Sequence, residues 1–131
     1  MITFQVRTSS REEFVDISRE VARAVRELGV ADGVCHAYVS HTTAGVTINE
    51  SADPSVQRDI LTTLRRLVPH QGDYRHAEGN SDAHVKTSLM GSSAWVPLVG
   101  GKLALGTWQG IFFCEFDGPR TRTVRVTALG D

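Results

Sequence analysis

Apolar and polar side chains alternate from the start of the chain. Ile2, Phe4 and Val6 interleave with Thr3, Gln5 and Arg7, which is the two-residue period of a half-buried strand. The period then lengthens. Phe14, Ile17, Val21, Val25 and Leu28 recur at three- and four-residue steps, predicting a helix with Arg11, Glu12, Arg19, Arg23 and Arg26 on its solvent face. Ser10 followed by Glu13 reads as a capping box, and Gly29 as the left-handed stop. A β-rich run over 34–39 is interrupted by His41-Thr42-Thr43-Ala44-Gly45 and resumes at Val46-Thr47-Ile48. Asp53-Pro54 opens a second helix, with Asp as N-cap and Pro at the first helical position. Val56, Ile60, Leu64 and Leu67 form its buried stripe, and Pro69 ends it.

Residues 70–83 are mostly polar and read as one long loop, a feature often tied to function in compact domains. Beyond Val85 the pattern predicts short strands. Residues 95–99 and 102–105 flank a Gly100-Gly101 hairpin turn, and 106–110 make another turn. Residues 111–116 form a strand, 117–120 a loop, and 121–128 a last alternating strand with Val124 and Val126 on one face. The sum is seven to nine strands and two main helices. Strands joined by short turns pair antiparallel, so the expected class is α+β, mostly antiparallel, rather than βαβ. At 131 residues the chain is a single domain, 1–131.

Charge narrows the partners. The net charge is −1 and the pI about 6.5, without the basic excess of a broad nucleic-acid surface. A small anionic ligand needs only two or three local charges. No apolar run reaches the roughly 18 residues of a membrane span, and the first residues lack the apolar core of a signal peptide. The expectation is a soluble, cytoplasmic protein with no membrane or nucleic-acid partner. Cys35 and Cys114 belong to no CxxC pattern and read as two buried thiols.

Five histidines are the natural centre of any chemistry. His41 heads the 41–45 block, while His76 and His84 bracket Glu78, Asn80 and Asp82. Imidazole ligates metals and transfers protons near neutral pH. Three imidazoles with an open fourth position make a catalytic zinc-type arrangement, and nearby carboxylates orient such rings. The spacing matches no helical metal motif, and each histidine taken alone reads first as a turn cap or a partner for a backbone group. His36, in mid-strand, and His70, after a helix-ending proline, are read as structural. Trp108 and Gln109, between Gly106 and Gly110, suit either a pocket wall or a tight turn. Arg120 presents a planar fork for phosphate or carboxylate. Glu50 is a candidate partner for the histidines, whereas Asp53 has a sufficient role as a cap. The hydroxyl- and glycine-rich run 86–93, which begins at Lys86, suits an anion but lacks P-loop spacing.

Four blocks together resemble the YjbQ-like family, whose members are labelled secondary thiamine-phosphate synthases. They are residues 41–54, 78–86, 105–111 and 114–120, in the family's order and over nearly the whole chain. The resemblance implies a two-sheet, sandwich-like α+β core assembled as a homotrimer. It also implies a polar pocket near the subunit boundary, into which His41 and His84 point, with His76 matching a third histidine. The implied reaction joins a pyrimidine pyrophosphate to a thiazole phosphate and expels pyrophosphate. On that reading His41, His84, Glu50, Asp82 and Arg120 are catalytic. Lys86, Asn80, Trp108 and Gln109 bind the phosphorylated ligand, and His41, His76 and His84 hold a divalent metal, zinc or magnesium. The same residues suit a metal-dependent hydrolase of a phosphorylated metabolite, or a non-catalytic metabolite- or metal-binding module.

Overall fold

The computed structural model describes all residues, 1–131. Eight strands and three helices follow in the order β1 (Ile2–Arg7), β2 (Glu13–Asp16), α1 (Ser18–Leu28), β3 (Gly33–Val39), β4 (Ala44–Glu50), α2 (Pro54–Leu67), α3 (Ser81–Met90), β5 (Ser93–Val99), β6 (Lys102–Leu103), β7 (Gln109–Glu115) and β8 (Thr121–Gly130). They form two antiparallel sheets, a five-stranded one ordered β1-β8-β3-β5-β6 and a three-stranded one ordered β2-β7-β4. The expected class, α+β with a two-sheet core, holds.

The sheets face each other across the main core. Val6, Cys35, Val39, Val96, Leu98, Val124 and Val126 project from the larger sheet, Val46, Ile111 and Phe113 from the smaller, and Val21, Ala24 and Val25 from α1. Strand β7 lies at the centre of the smaller sheet and is buried on both faces. Its other face presents Cys114, with Phe116 just beyond, to Leu64 of α2 and Ala83 of α3. The molecule is thus three layers deep: five strands, then the three strands with α1 beside them, then α2 and α3.

The sequence reading needs three corrections. The first helix starts later than its apolar spacing suggests. Phe14 lies in β2, paired with Cys114, because the ladder with β7 outweighs local helical spacing. No capping box forms at Ser10; instead Ser9 donates from its N–H (3.2 Å) and hydroxyl (2.8 Å) to Glu13. The second correction concerns α2. Asp53 caps it as expected, accepting from the Ser55 N–H at 3.0 Å. Of the expected stripe, however, only Leu64 is buried, and Leu67 is 70% exposed.

The third correction carries function. Residues 81–90 are a helix, where loop and strand were expected. Helix α3 buries Asp82, Ala83, Lys86 and Thr87 while Val85 and Leu89 are exposed, so its polar pattern is inverted. The buried charges are paired. Asp82 accepts from both Arg11 Nη atoms (3.0 and 3.3 Å) and from Lys86 Nζ (2.9 Å). Lys86 Nζ also donates to Glu12 at 2.7 Å, and Glu12 in turn accepts from Arg65 of α2 at 2.9 Å. Arg11 and Glu12 therefore serve as counterions that dock α3, and are not part of a solvated helix face.

Gly45 sets the docking distance on the other side. A Cβ there would run into the Gly91 carbonyl oxygen, the same oxygen that accepts from the Val46 N–H at 3.1 Å. A side chain on Gly45 would push the end of α3 off β4.

Candidate functional site: a histidine-lined cleft beside the third helix

His41 lies in the turn between β3 and β4, at the end of the smaller sheet where Ala44 pairs with Glu115. Its Nε2 accepts the Thr123 backbone N–H at 2.9 Å. In neutral imidazole that places the proton on Nδ1. Burial lowers the His41 pKa, the Arg122 charge lowers it further, Glu115 partly offsets this, and Arg120 adds to the lowering. The ring is held neutral beside two cations, one buried and one exposed.

Beneath it is a buried ion pair. Glu115 and Arg122 contact each other closely and are 0% and 2% exposed. Arg122 donates to Thr43 Oγ1 at 2.8 Å, and Thr8 donates to Glu115 at 2.8 Å. Burial alone would raise the Glu115 pKa. Hydrogen bonds from Arg122, Asp117 and Thr8, with the Arg122 charge, override it and lower the pKa. This pair joins the turn carrying His41 to the strand whose N–H holds the ring.

His41 and His84 line one cavity of about 540 Å³ with Thr42, Thr87, Ser88, Gly91 and Ser92. No lining residue is apolar or acidic. Thr87 is 7% exposed, and its hydroxyl has no hydrogen-bond partner. His84 also lines a second cavity of about 410 Å³ with Asp73, Tyr74, Arg75, His76, Ser81 and Val85. The His76 and His84 rings meet edge to face, with centroids 5.3 Å apart. His84 is thus the one residue common to both cavities, with His41 on one side and His76 on the other, and the two are lobes that meet at His84.

A trio of metal ligands does not fit this arrangement. Neutral His41 has one ring lone pair, and the Thr123 N–H occupies it. Nowhere do three His, Cys, Asp or Glu side chains converge as a metal cluster. The His76–His84 pair does have suitable spacing. Two rings whose nitrogens each lie ~2 Å from one tetrahedral ion have centroids about 5 Å apart.

Of the other expected site residues, two stand beside the cleft. Asn80 Nδ2 donates to Asp117 Oδ2 at 2.9 Å, and Arg120 donates to the same oxygen at 3.1 Å. Arg120 is half exposed and near enough to influence His41. Asp82 and Lys86 do not face the imidazoles; they are spent on the buried network with Arg11 and Glu12. Burial works against ionised Asp82, and hydrogen bonds from Arg11 and Lys86 overcome it, lowering its pKa.

Glu50, Trp108 and Gln109 lie at the far end of the smaller sheet, where Glu50 pairs with Gln109. A seven-residue strand puts them about 20 Å from His41. Glu50 accepts from Ala52 N–H at 3.1 Å, and Gln109 accepts from Gly106 N–H at 2.8 Å. Trp108 is 63% exposed. Gln109 borders a separate polar hollow of about 590 Å³ with Asp16, Ser18, Arg19, Glu20 and Ser51.

The residues read as structural behave so. His36 packs 4.3 Å from Trp95 on the outer face of the larger sheet, and His70 Nε2 lies 2.9 Å from the Gly79 carbonyl oxygen. Cys35 and Cys114 are free and buried, which raises both thiol pKa values, that of Cys35 to about 11. Thr123, Tyr74 and Arg75 were missed. Thr123 acts through its backbone, which leaves no mark in sequence, whereas Tyr74 and Arg75 directly precede a singled-out histidine.

The fold and cleft together define a class: a small two-sheet α+β domain with a histidine-lined polar cleft against one helix. The chain belongs to the UPF0047 protein YjbQ-like family, whose profile matches residues 2–131. It is 52% identical over 131 residues to UPF0047 protein MJ1081 of Methanocaldococcus jannaschii, covering 100% of this chain and 95% of that protein. It is 50% identical over 130 residues to UPF0047 protein YugU of Bacillus subtilis, covering 98% of each. A crystal structure of a YjbQ/UPF0047 family protein from Clostridium acetobutylicum superimposes with a TM-score of 0.96 at 54% identity, covering 98% of this chain and 100% of that one. No helix is long and apolar enough to cross a membrane.

Proposed function

We propose that the His41–His84 cleft binds a phosphorylated small molecule and catalyses group transfer on it, with thiamine-phosphate synthesis as the leading candidate reaction. The observation that carries this reading is the cavity itself. Two imidazoles, one locked in a single tautomer by the Thr123 N–H, share a polar hollow of about 540 Å³ beside Arg120 and Arg122. An array of donors around one hollow stabilises charge that develops on a departing group.

In the proposed reaction the C–O bond between the pyrimidine methylene and pyrophosphate breaks, and pyrophosphate leaves with the electron pair. The thiazole ring nitrogen forms the new C–N bond to the methylene. Arg120 and the Nδ1–H of His41 stabilise negative charge on the departing oxygens, and His84 delivers a proton to one of them. A divalent cation held by His76 and His84 would supply charge neutralisation in place of proton delivery by His84. The chain assembles as a homotrimer on this reading. Support comes from Trp95, Val99 and Leu129, each more than half exposed and outward-facing on the larger sheet.

The test is product formation from the two thiamine precursors by wild type and His84→Ala. Loss of turnover by a factor of about 10²–10⁴ is expected for removal of a general acid. Equal turnover removes His84 from the chemistry. Tight binding with no turnover in either protein would point to a non-catalytic binding module.

A further inference from the structure

The two lobes of the cleft differ in chemistry, and the difference assigns their occupants. The lobe of His41, Thr42, His84, Thr87, Ser88, Gly91 and Ser92 holds no carboxylate and no apolar side chain. Every side chain in its wall carries an O–H or N–H, apart from Gly91. Exposed Thr42 and Ser92 hydroxyls stand at its mouth, and the Thr87 hydroxyl is buried in its wall without a partner. Arg122 and Arg120 lie close enough to act on His41, each paired with a carboxylate, Glu115 and Asp117, so the lobe's pull on an anion comes from its O–H and N–H donors. Such a lobe solvates an anion and has nothing to offer an apolar ring.

The second lobe is mixed. It sets Tyr74 and Val85 beside Asp73, Arg75 and Ser81, with His76 closing against His84. An aromatic face, an aliphatic side chain, an acceptor and donors around one hollow suit a flat heteroaromatic ring with hydrogen-bonding edges. That wall sets one carboxylate, Asp73, against one cation, Arg75, and so offers a phosphoryl group no net positive charge, while its aromatic and aliphatic side chains suit a ring.

We propose that the ligand lies across His84, with its phosphoryl or pyrophosphoryl group in the His41–Ser92 lobe and its heteroaromatic ring in the Tyr74–His76 lobe. The bond that changes in the reaction then sits at His84. This assignment rests on the proposed function only for the statement about the reacting bond; the placement of the two groups stands on the lobes alone.

The experiment is proton NMR of the histidine ring C–H signals in phosphate-free buffer. The five histidines are assigned by single His→Gln variants. Inorganic pyrophosphate should move His41 and His84 saturably and leave His76 in place. A neutral aminopyrimidine should move His76 and His84 and leave His41 in place. Ser92→Asp puts a carboxylate in the first lobe at an exposed position, and should weaken pyrophosphate roughly tenfold or more while sparing the aminopyrimidine. Thr42→Glu, also exposed, is the second variant should the first fold poorly. Pyrophosphate that moves His76 but not His41, no saturable shift at all, or unweakened binding by the folded variant overturns the assignment. Unchanged turnover in His84→Ala instead strikes the catalytic reading and leaves the lobe assignment standing.

Discussion

The Thr123 backbone N–H donates to His41 Nε2 at 2.9 Å, so a β8 peptide group sets the tautomer of a side chain in the β3–β4 turn. Protonating His41 would break this bond and place a cation beside Arg122 and Arg120. The folded pKa therefore lies below the ordinary value of 6.5. The resulting stability is fully present above 6.5 and is lost as pH falls from there through the depressed folded value. Denaturant titrations across that window should show wild type weakening while His41→Gln stays flat. A ring signal titrating at or above the ordinary value would contradict the hydrogen bond.

The Asp82–Lys86 pair, 0% and 1% exposed, gives the second expectation. Asp82→Ala strands Lys86 beside Glu12 alone and should cost about 3–5 kcal/mol, whereas Arg65→Ala removes an exposed partner of Glu12 and should cost about 0–1 kcal/mol. Urea midpoints at neutral pH would check the contrast. In acid, the lowered pKa values of Asp82 and Glu115 imply stability that is complete above the ordinary carboxylate range and fades as pH drops through their folded values.

Gly45→Ala should destabilise the domain by about 1–3 kcal/mol through overpacking. Because the new Cβ meets Gly91, which lines the cavity, the variant should also weaken pyrophosphate binding more than it weakens an aminopyrimidine. Calorimetric melting and the NMR titration together read both effects.

A metal titration separates pair from trio. Zinc binding followed by calorimetry should fall in His76→Ala and in His84→Ala by more than the factor of about 10–100 that loss of a merely orienting partner costs, and stay unchanged in His41→Ala. Loss of zinc binding in His41→Ala would restore the three-imidazole arrangement.

What was legible in sequence followed the hydrophobic pattern. Alternation found β1 and β8, Asp53-Pro54 located α2, and Gly100-Gly101 located the β5–β6 turn. Helix α3 escaped because it wears its charges inward. Asp82 and Lys86 face the core while Val85 and Leu89 face out, so no apolar stripe marks it. The same inversion accounts for Asp82 and Lys86, whose charges look available in the sequence and are engaged with Arg11 and Glu12. Periodicity also misled at Phe14, where pairing with Cys114 decides the conformation. The histidines were the visible part of the cleft. The grouping of His84 with both His76 and His41 depends on α3, and so became apparent only in three dimensions.

Cys35 and Cys114 are each no more than 1% exposed, and their thiols stay protonated throughout the neutral range. A native chain thus withholds both sulfurs from alkylating reagents, and each becomes available only when its layer opens. Cys35 sits in the core that the larger sheet shares with the smaller sheet and α1, Cys114 between the smaller sheet and the outer helices α2 and α3. Their separate labelling rates are a ready-made pair of clocks, one for parting of the sandwich and one for lift-off of the helical layer.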